Sequence, residues 1–597
     1  MENQKMFSAK QKQLFETKSK TATASVSTSV KTKENPFVLA GMGKAAQTTS
    51  GNGSLKYKTS GMSVGSLFVD QFGALARYKS PRPFAEIQND MAKLWAVDQE
   101  NAVKFIAYLR LITRQVAFAD GSKTKTTQRG AGLKHEGITR MVWLAVNAPE
   151  TFAKNIEVFI AAGSWNDIIK MLSYDIQYNG WKNRLLDWEF LGNVILAGLE
   201  NENTCNLVKK YLPQIKANSK CKTIEAQADN VIAKWICSLL FGTKTEDTGA
   251  TYKAYRELKK SGTAHQWQQL ISQGNHKLVD FDSVHGRALS SMVSGKYLKN
   301  HGLEDKYQAW IGGKPVAKFT GFPYELAQAI PTIKQKYQKD TINAQFNTLV
   351  EVAKKGLTGA GLRPISALDC SGSMSSPMYI GNGQVGKLRS IEVAFSSAIF
   401  FNEMMLKNSP FYDTYLSFHN TTTMNRFNGN NFVDKYSTSP RDGWGGTNFQ
   451  SVFDFFVDFK RKNPSVDESL IPNFVVCFSD GEFNSVSGPS NSTVSNIEAG
   501  RRKLAQVFSK EYCENFGVCF VDLPNTFYSH RPAAKFETFG DCKNVFYFSG
   551  FDLSPLGFLF GVEGKFNEET GEVIVPKTAE ELFYASMDQE LLNLVVL

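Results

Sequence analysis

The sequence predicts a multidomain protein: an all-α helical-repeat domain followed by an α/β domain built on a doubly wound, mostly parallel sheet. Three observations predict it. A chain of 597 residues exceeds what one core organises, at roughly 100–200 residues per domain. Apolar residues recur at helical spacing from about Pro83 to Gly356. From about Leu362 short β-rich runs alternate with helical stretches, the pattern of strand–helix–strand units. Composition is globular, 42% hydrophobic and 21% charged, which excludes a fibrous or wholly disordered chain. No apolar run reaches the roughly 18 residues of a membrane span, so an integral membrane protein is not expected.

Residues 1–62 are rich in Lys, Ser, Thr, Gln and Gly, and the stretch from Thr21 to Val30 has almost no bulky side chains. Such a segment buries too little apolar area to offset its ordering entropy, so a flexible basic tail is expected. Its start, Met1-Glu-Asn-Gln-Lys5, lacks the apolar core of a secretory signal. The eight cysteines include no CxxC pair. That argues against a zinc knuckle or disulfide scaffold and for a reducing, cytoplasmic setting.

Residues 63–359 form the expected helical domain. Met91, Leu94 and Trp95 share one helical face, and Val103, Ile106, Leu109 and Ile112 share the next. Helix-length segments recur at Gly137–Val146, Glu150–Ala161, Trp165–Tyr174 and Ala226–Leu240, punctuated by Pro149, Gly163, Gly180 and Pro213. No strict repeat period is visible, so pairs of antiparallel helices in an irregular solenoid fit best.

Residues 360–597 form the expected α/β domain. Strands are predicted at Pro364–Asp369, Asp413–Phe418, Phe474–Phe478, Gly517–Val521 and Val545–Phe548, and helices at Leu388–Leu406, Phe449–Lys460 and Ile497–Phe508. In such sheets the binding crevice lies beyond the carboxyl ends of the strands. Three polar motifs fall there: Asp369-Cys-Ser-Gly-Ser-Met374 after a strand, Gly445-Gly-Thr-Asn448 in a loop before a helix, and Phe478-Ser-Asp-Gly-Glu482 after another strand. Asp369, Ser371, Ser373, Thr447 and Asp480 offer only hard oxygens. That donor set suits Mg²⁺ or Mn²⁺, with some ligands reached through water.

These motifs, in this order on an α/β pattern, resemble the DxSxS…T…D metal-ion-dependent adhesion site of von Willebrand factor A (vWA) domains, a Rossmann-like fold. The resemblance extends upstream. Arg129-Gly-Ala-Gly-Leu-Lys-His-Glu136, Trp143-Leu-Ala145, Gly163-Ser-Trp-Asn-Asp167 and the run Ser290–His301 resemble the TROVE module of the Ro ribonucleoprotein family. They are more similar to its uncharacterised plant and phage relatives, in which TROVE-like helices precede a vWA domain. The resemblance covers roughly residues 80–560. It implies a ring-like, HEAT-like helical scaffold whose basic surfaces bind small structured RNAs and RNA ends, and a virion-associated location if the chain is phage-encoded. Asn448 stands where Ro-type proteins commonly carry Asp; it need not be a ligand.

Charge supports a division of labour. Residues 1–59 hold ten Lys against three acidic residues, +7. Residues 60–359 hold 39 basic and 27 acidic residues, +12, whereas residues 360–597 hold 19 basic and 27 acidic residues, −8. A basic front half attracts nucleic acid through phosphate neutralisation, or is simply a solvated Lys-rich surface. Lys123, Lys125, Arg129, Lys134 and Arg140, on a Gly/Thr-rich loop entering a helix, are the expected RNA-contact patch.

Two other motifs weigh less. Gly381-Asn-Gly-Gln-Val-Gly-Lys-Leu388 fits GxxxxGK but ends in Leu and follows no strand, so it lacks the hydroxyl and the strand a P-loop needs. Ser371 as a nucleophile needs a poised base, and neither His419 nor His301 has a triad-like spacing. No enzymatic activity is therefore expected. Two readings stay open: a non-catalytic RNA-binding protein with a metal site, or a protein-interaction adaptor or structural component, for example of a phage particle, whose metal takes an acidic protein partner.

Overall fold

The computed structural model describes residues 47–49, 55–57, 67–69, 71–72, 82–242, 248–262, 266–319, 321–355, 362–379, 385–404, 411–438, 443–481, 483, 496–523, 543–549, 554–561, 575–576 and 578–597. Of the expected tail, only a small antiparallel hairpin, Gln47–Thr49 with Leu55–Tyr57, is among them. Part of the GxxxxGK loop and Glu482 also lie outside the described residues.

The first half is helical, as the 3.6-residue periodicity requires. Its helices include Phe84–Val97, Gln99–Arg110, Lys134–Asn147, Trp165–Asn179, Trp188–Glu200 and Ile224–Phe241. Asp98 and Asp187 cap two of them by accepting from Asn101 N and Phe190 N. The expected Glu150–Ala161 helix is two helices, Pro149–Lys154 and Ile156–Ala162, broken at the fully buried Asn155. A long helix, Lys336–Lys354, ends this half and leads into the sheet.

The second half is built on one six-stranded sheet. Its strands are β1 (Pro364–Asp369), β2 (Thr414–Phe418), β3 (Thr422–Arg426), β4 (Phe474–Ser479), β5 (Gly517–Asp522) and β6 (Val545–Ser549). Their spatial order is β3-β2-β1-β4-β5-β6, with every neighbouring pair parallel except the β2–β3 hairpin. β1, β4 and β5 are buried on both faces, which is why they read as near-continuous apolar runs. β3 is a polar edge strand with two of its five residues half-buried and the rest exposed, so no apolar run announced it.

Alternate residues of the strands feed two cores. Ile365, Ala367, Leu416, Phe418, Val475, Cys477, Val518 and Phe520 pack against the Gln450–Lys462 and Asn496–Leu504 side. Leu368, Tyr415, Phe474, Val476, Phe478, Cys519 and Val521 face the other way, onto the Ser390–Met404 helix. That second core does not stop at residue 360. It runs on through Phe346 and Val350 into the helical half, and takes in Phe583, Leu591 and Leu592 from the end of the chain. The final segment therefore packs with the helical half: Phe583 lies 4.9 Å from Phe68 and 5.9 Å from Phe105, ring to ring.

Candidate metal and ligand-binding site

β1 and β4 are adjacent, and strand order reverses between them: connections run outward to β2 and β3 on one side and to β5 and β6 on the other. This is the topological switch point where open α/β sheets leave a crevice for ligands. Asp369 ends β1 and Ser479 ends β4. The chain turns sharply after each, and Gly481 adopts φ +77°, which few side-chain-bearing residues tolerate.

Asp369 is fully buried. Its Oδ1 accepts from the Ser371 backbone N–H at 2.9 Å, and its Oδ2 accepts from Ser479 Oγ at 2.5 Å. Ser479 Oγ also accepts from Gly481 N at 3.0 Å, fixing the turn that carries Asp480. Ser371 Oγ and Ser373 Oγ lie 3.1 Å apart. Burial pushes the Asp369 carboxyl up to about 6 against the opposing effect of these hydrogen bonds. Burial, with Asp369 beside it, also pushes the Cys370 thiol up to about 12, which keeps it a neutral thiol.

The third motif is laced to the first. Trp444 N donates to Cys370 O at 2.9 Å, Gly372 N donates to Gly445 O at 3.3 Å, and Gly443 N donates to Ser375 Oγ at 2.7 Å. A Cβ on Gly443 would lie 2.0 Å from Ser371 O, so this crossing of loops requires glycine. Gly445 sits at φ +80°, and Asn420 Oδ1 accepts from Gly446 N at 2.9 Å. Thr447 and Asp480 are both buried. The structure thus brings the three motifs to one end of the sheet. Asn448 Nδ2 donates to Asn420 O at 3.0 Å, a bond to the turn between β2 and β3.

The donor set fits a hard divalent cation. Among the described residues no basic side chain pairs with the buried Asp369 carboxylate, and its only hydrogen-bond donors are neutral. Among them, too, no three His, Cys, Asp or Glu side chains cluster as metal ligands. A cation here would be held by the carboxylates of Asp369 and Asp480 with the hydroxyls of Ser371, Ser373 and Thr447. Ser479, which orients Asp369, lies inside the quoted Phe478–Glu482 motif but was not singled out from sequence.

His419 stacks its ring 4.1 Å from that of Trp444, whose side chain is 63% exposed beside these loops, and its Nδ1 accepts from Asn420 N. His301 stacks on His276 in the helical half, 3.6 Å between rings.

The expected RNA patch is divided by the structure. Lys123 and Lys125 are exposed on their loop. Arg129 and Arg140 are not available to phosphate and are corrected to internal, structural residues. Arg129 Nη2 donates to the Ala353 and Lys355 carbonyls at 3.1 and 2.8 Å, capping the end of the Lys336–Lys354 helix. Arg140 is completely buried, 3.3 Å from Glu136 in a cluster with Arg82 and Asp90, and lies over the Phe105 ring. Lys134 is 42% exposed and stands 3.8 Å from Asp167, with its ammonium pKa lowered by burial.

Residues 363–592 match a domain of unknown function, DUF7788. This DUF7788 segment contains all six strands, all three motifs and the stretch through Leu592 that packs on the helical half. No curated protein and no solved structure matches the chain.

Proposed function

We propose that the protein is a non-catalytic RNA-binding protein of Ro/TROVE type, whose vWA-type DUF7788 domain holds Mg²⁺ or Mn²⁺ at a metal-ion-dependent adhesion site. The observation that carries the metal reading is the seating of Asp369, Ser371 and Ser373 at the switch point, tied to the loops of Thr447 and Asp480. Its support is chemical: a buried carboxylate with neutral donors only, ringed by hydroxyls. The cation would present its remaining coordination position to an anionic ligand, while the chain's residues orient it and exclude water from one side.

The RNA reading rests on the charge division and on the resemblance of the helical half, with Lys123, Lys125 and Lys134 as the remaining contacts of the patch. The test is direct. The purified full chain is expected to carry nucleic acid, with a raised 260/280 absorbance ratio that falls on ribonuclease treatment. A protein free of nucleic acid that also binds no RNA at low salt would refute it.

The burial of Arg129 and Arg140 favours a second reading. The helical half then serves as a scaffold, and the protein is an adaptor whose metal takes an acidic protein partner. Mg²⁺-dependent capture of a partner by a chain that binds no RNA distinguishes it.

A further inference from the structure

The loop of Lys123 and Lys125 holds an anion in this structure, and the anion belongs to the chain itself. One carboxylate oxygen of Glu590, Oε2, accepts from Lys125 N at 2.8 Å, Thr126 N at 3.2 Å and Thr126 Oγ1 at 3.3 Å. Two successive backbone N–H groups and a hydroxyl converging on one oxygen form a small anion-binding concavity. Lys123 and Lys125 are exposed on the same loop, and neither joins an ion pair among the described residues.

Glu590 is not what holds its segment in place. On one side Gln589 makes a reciprocal pair with the Arg129 backbone, accepting from N at 2.6 Å and donating to O at 2.8 Å. On the other side Leu591 N donates to Gln128 Oε1 at 2.9 Å, and the Leu591 and Leu592 side chains are fully buried. Glu590 between them is half-buried, and its carboxylate turns outward to the loop. A rotamer change frees the concavity with the anchors intact.

We propose that Glu590 occupies, in cis, an oxyanion site that takes a phosphate of single-stranded RNA, so that the end of the DUF7788 segment restrains RNA binding by the helical half. The proposal rests on the RNA-binding reading above. Phosphodiester oxygens match the donor set as well as a carboxylate does, and the flexible, exposed Lys123 and Lys125 of the same loop are free to reach a bound phosphate. A tethered carboxylate competes at high effective concentration, so its removal raises apparent affinity with no new contact to RNA.

The test uses the full chain and a fluorescein-labelled oligouridylate at low salt. Glu590→Gln is expected to tighten binding by about three- to tenfold, the scale of one net hydrogen bond. Asp588→Asn removes a nearby negative charge without clearing the site and is expected to leave binding unchanged. Lys123→Glu/Lys125→Glu is expected to abolish the gain in the Glu590→Gln background. Unchanged melting of Glu590→Gln would confirm that the anchors hold. If the parent binds RNA and Glu590→Gln binds equally well, the proposal fails and the RNA reading stands. Equal tightening by Asp588→Asn reduces the effect to net charge and also overturns the proposal. A gain seen only with a polyglutamate peptide makes the ligand a protein carboxylate and overturns it too. If neither parent nor variant binds RNA, both readings fall.

Discussion

On the proposed metal reading, Asp369 ties protonation, cation binding and stability together in one group. Its carboxyl is raised from 3.8 to about 6 because burial disfavours the anion. Without a cation, the folded protein therefore binds the proton more tightly than the unfolded chain does. Asp369 contributes stability fully below pH 3.8 and loses it as pH rises through about 6. The gap corresponds to roughly 3 kcal/mol of penalty for the buried anion at neutral pH. A divalent cation offsets that penalty but must displace the proton first. One-proton competition at about 6 lowers the apparent Mg²⁺ affinity about tenfold between pH 7.5 and pH 5. Thermal melting with and without Mg²⁺ at the two pH values measures this. Asp369→Asn removes the charge at constant shape. In EDTA at pH 7.5 it is expected to melt at or above the parent's midpoint, a gain reduced by the poorer match of the amide to the Ser371 N–H. It is expected to ignore Mg²⁺. Equal Mg²⁺ shifts at both pH values, or a shift retained by Asp369→Asn, would refute the reasoning.

Three further outcomes follow from buried contacts elsewhere. Asp167, 1% exposed, accepts from Arg110 Nε at 2.9 Å and Nη2 at 2.8 Å, so Asp167→Asn is expected to cost about 3–5 kcal/mol in denaturant titrations by leaving a buried guanidinium unpaired. Adding Arg110→Met is expected to recover part of that loss; no recovery would show that the pair is not the source. Gly443→Ala forces its Cβ onto Ser371 O and is expected to weaken the Mg²⁺-dependent melting shift while the helical half keeps its circular dichroism. Gln589→Ala removes both bonds to the Arg129 backbone and is expected to cost about 1–3 kcal/mol, with earlier proteolytic trimming at the end of the chain; an unchanged digestion pattern would count against the clasp.

What the sequence by itself determined is local. Apolar periodicity marked the first half as helical, located helices such as Lys134–Asn147, Trp165–Asn179 and Ile224–Phe241, and located the strands β1, β2, β4, β5 and β6, because each element's pattern is imposed by the face or faces it buries; Trp188–Glu200 and Lys336–Lys354 were not located. The DxSxS turn, the Gly-Gly-Thr loop and the Ser-Asp-Gly turn were legible because oxygen side chains at strand ends stand out against apolar runs. Only the tertiary structure decided the rest. β3 has no apolar face to read and exists because β2 hands it a hydrogen-bonding edge. The buried Asn155 at the helix break finds its partner in the Val596 backbone, 441 residues away. Arg129 looks like a phosphate contact beside Lys123 and Lys125, yet its partners are carbonyls 224 and 226 residues distant. Whether a charged side chain faces solvent or caps a remote helix depends on which groups the fold brings to it. Such a pairing leaves no mark on the few residues around it, because its energy comes from desolvation and hydrogen bonds made across the chain.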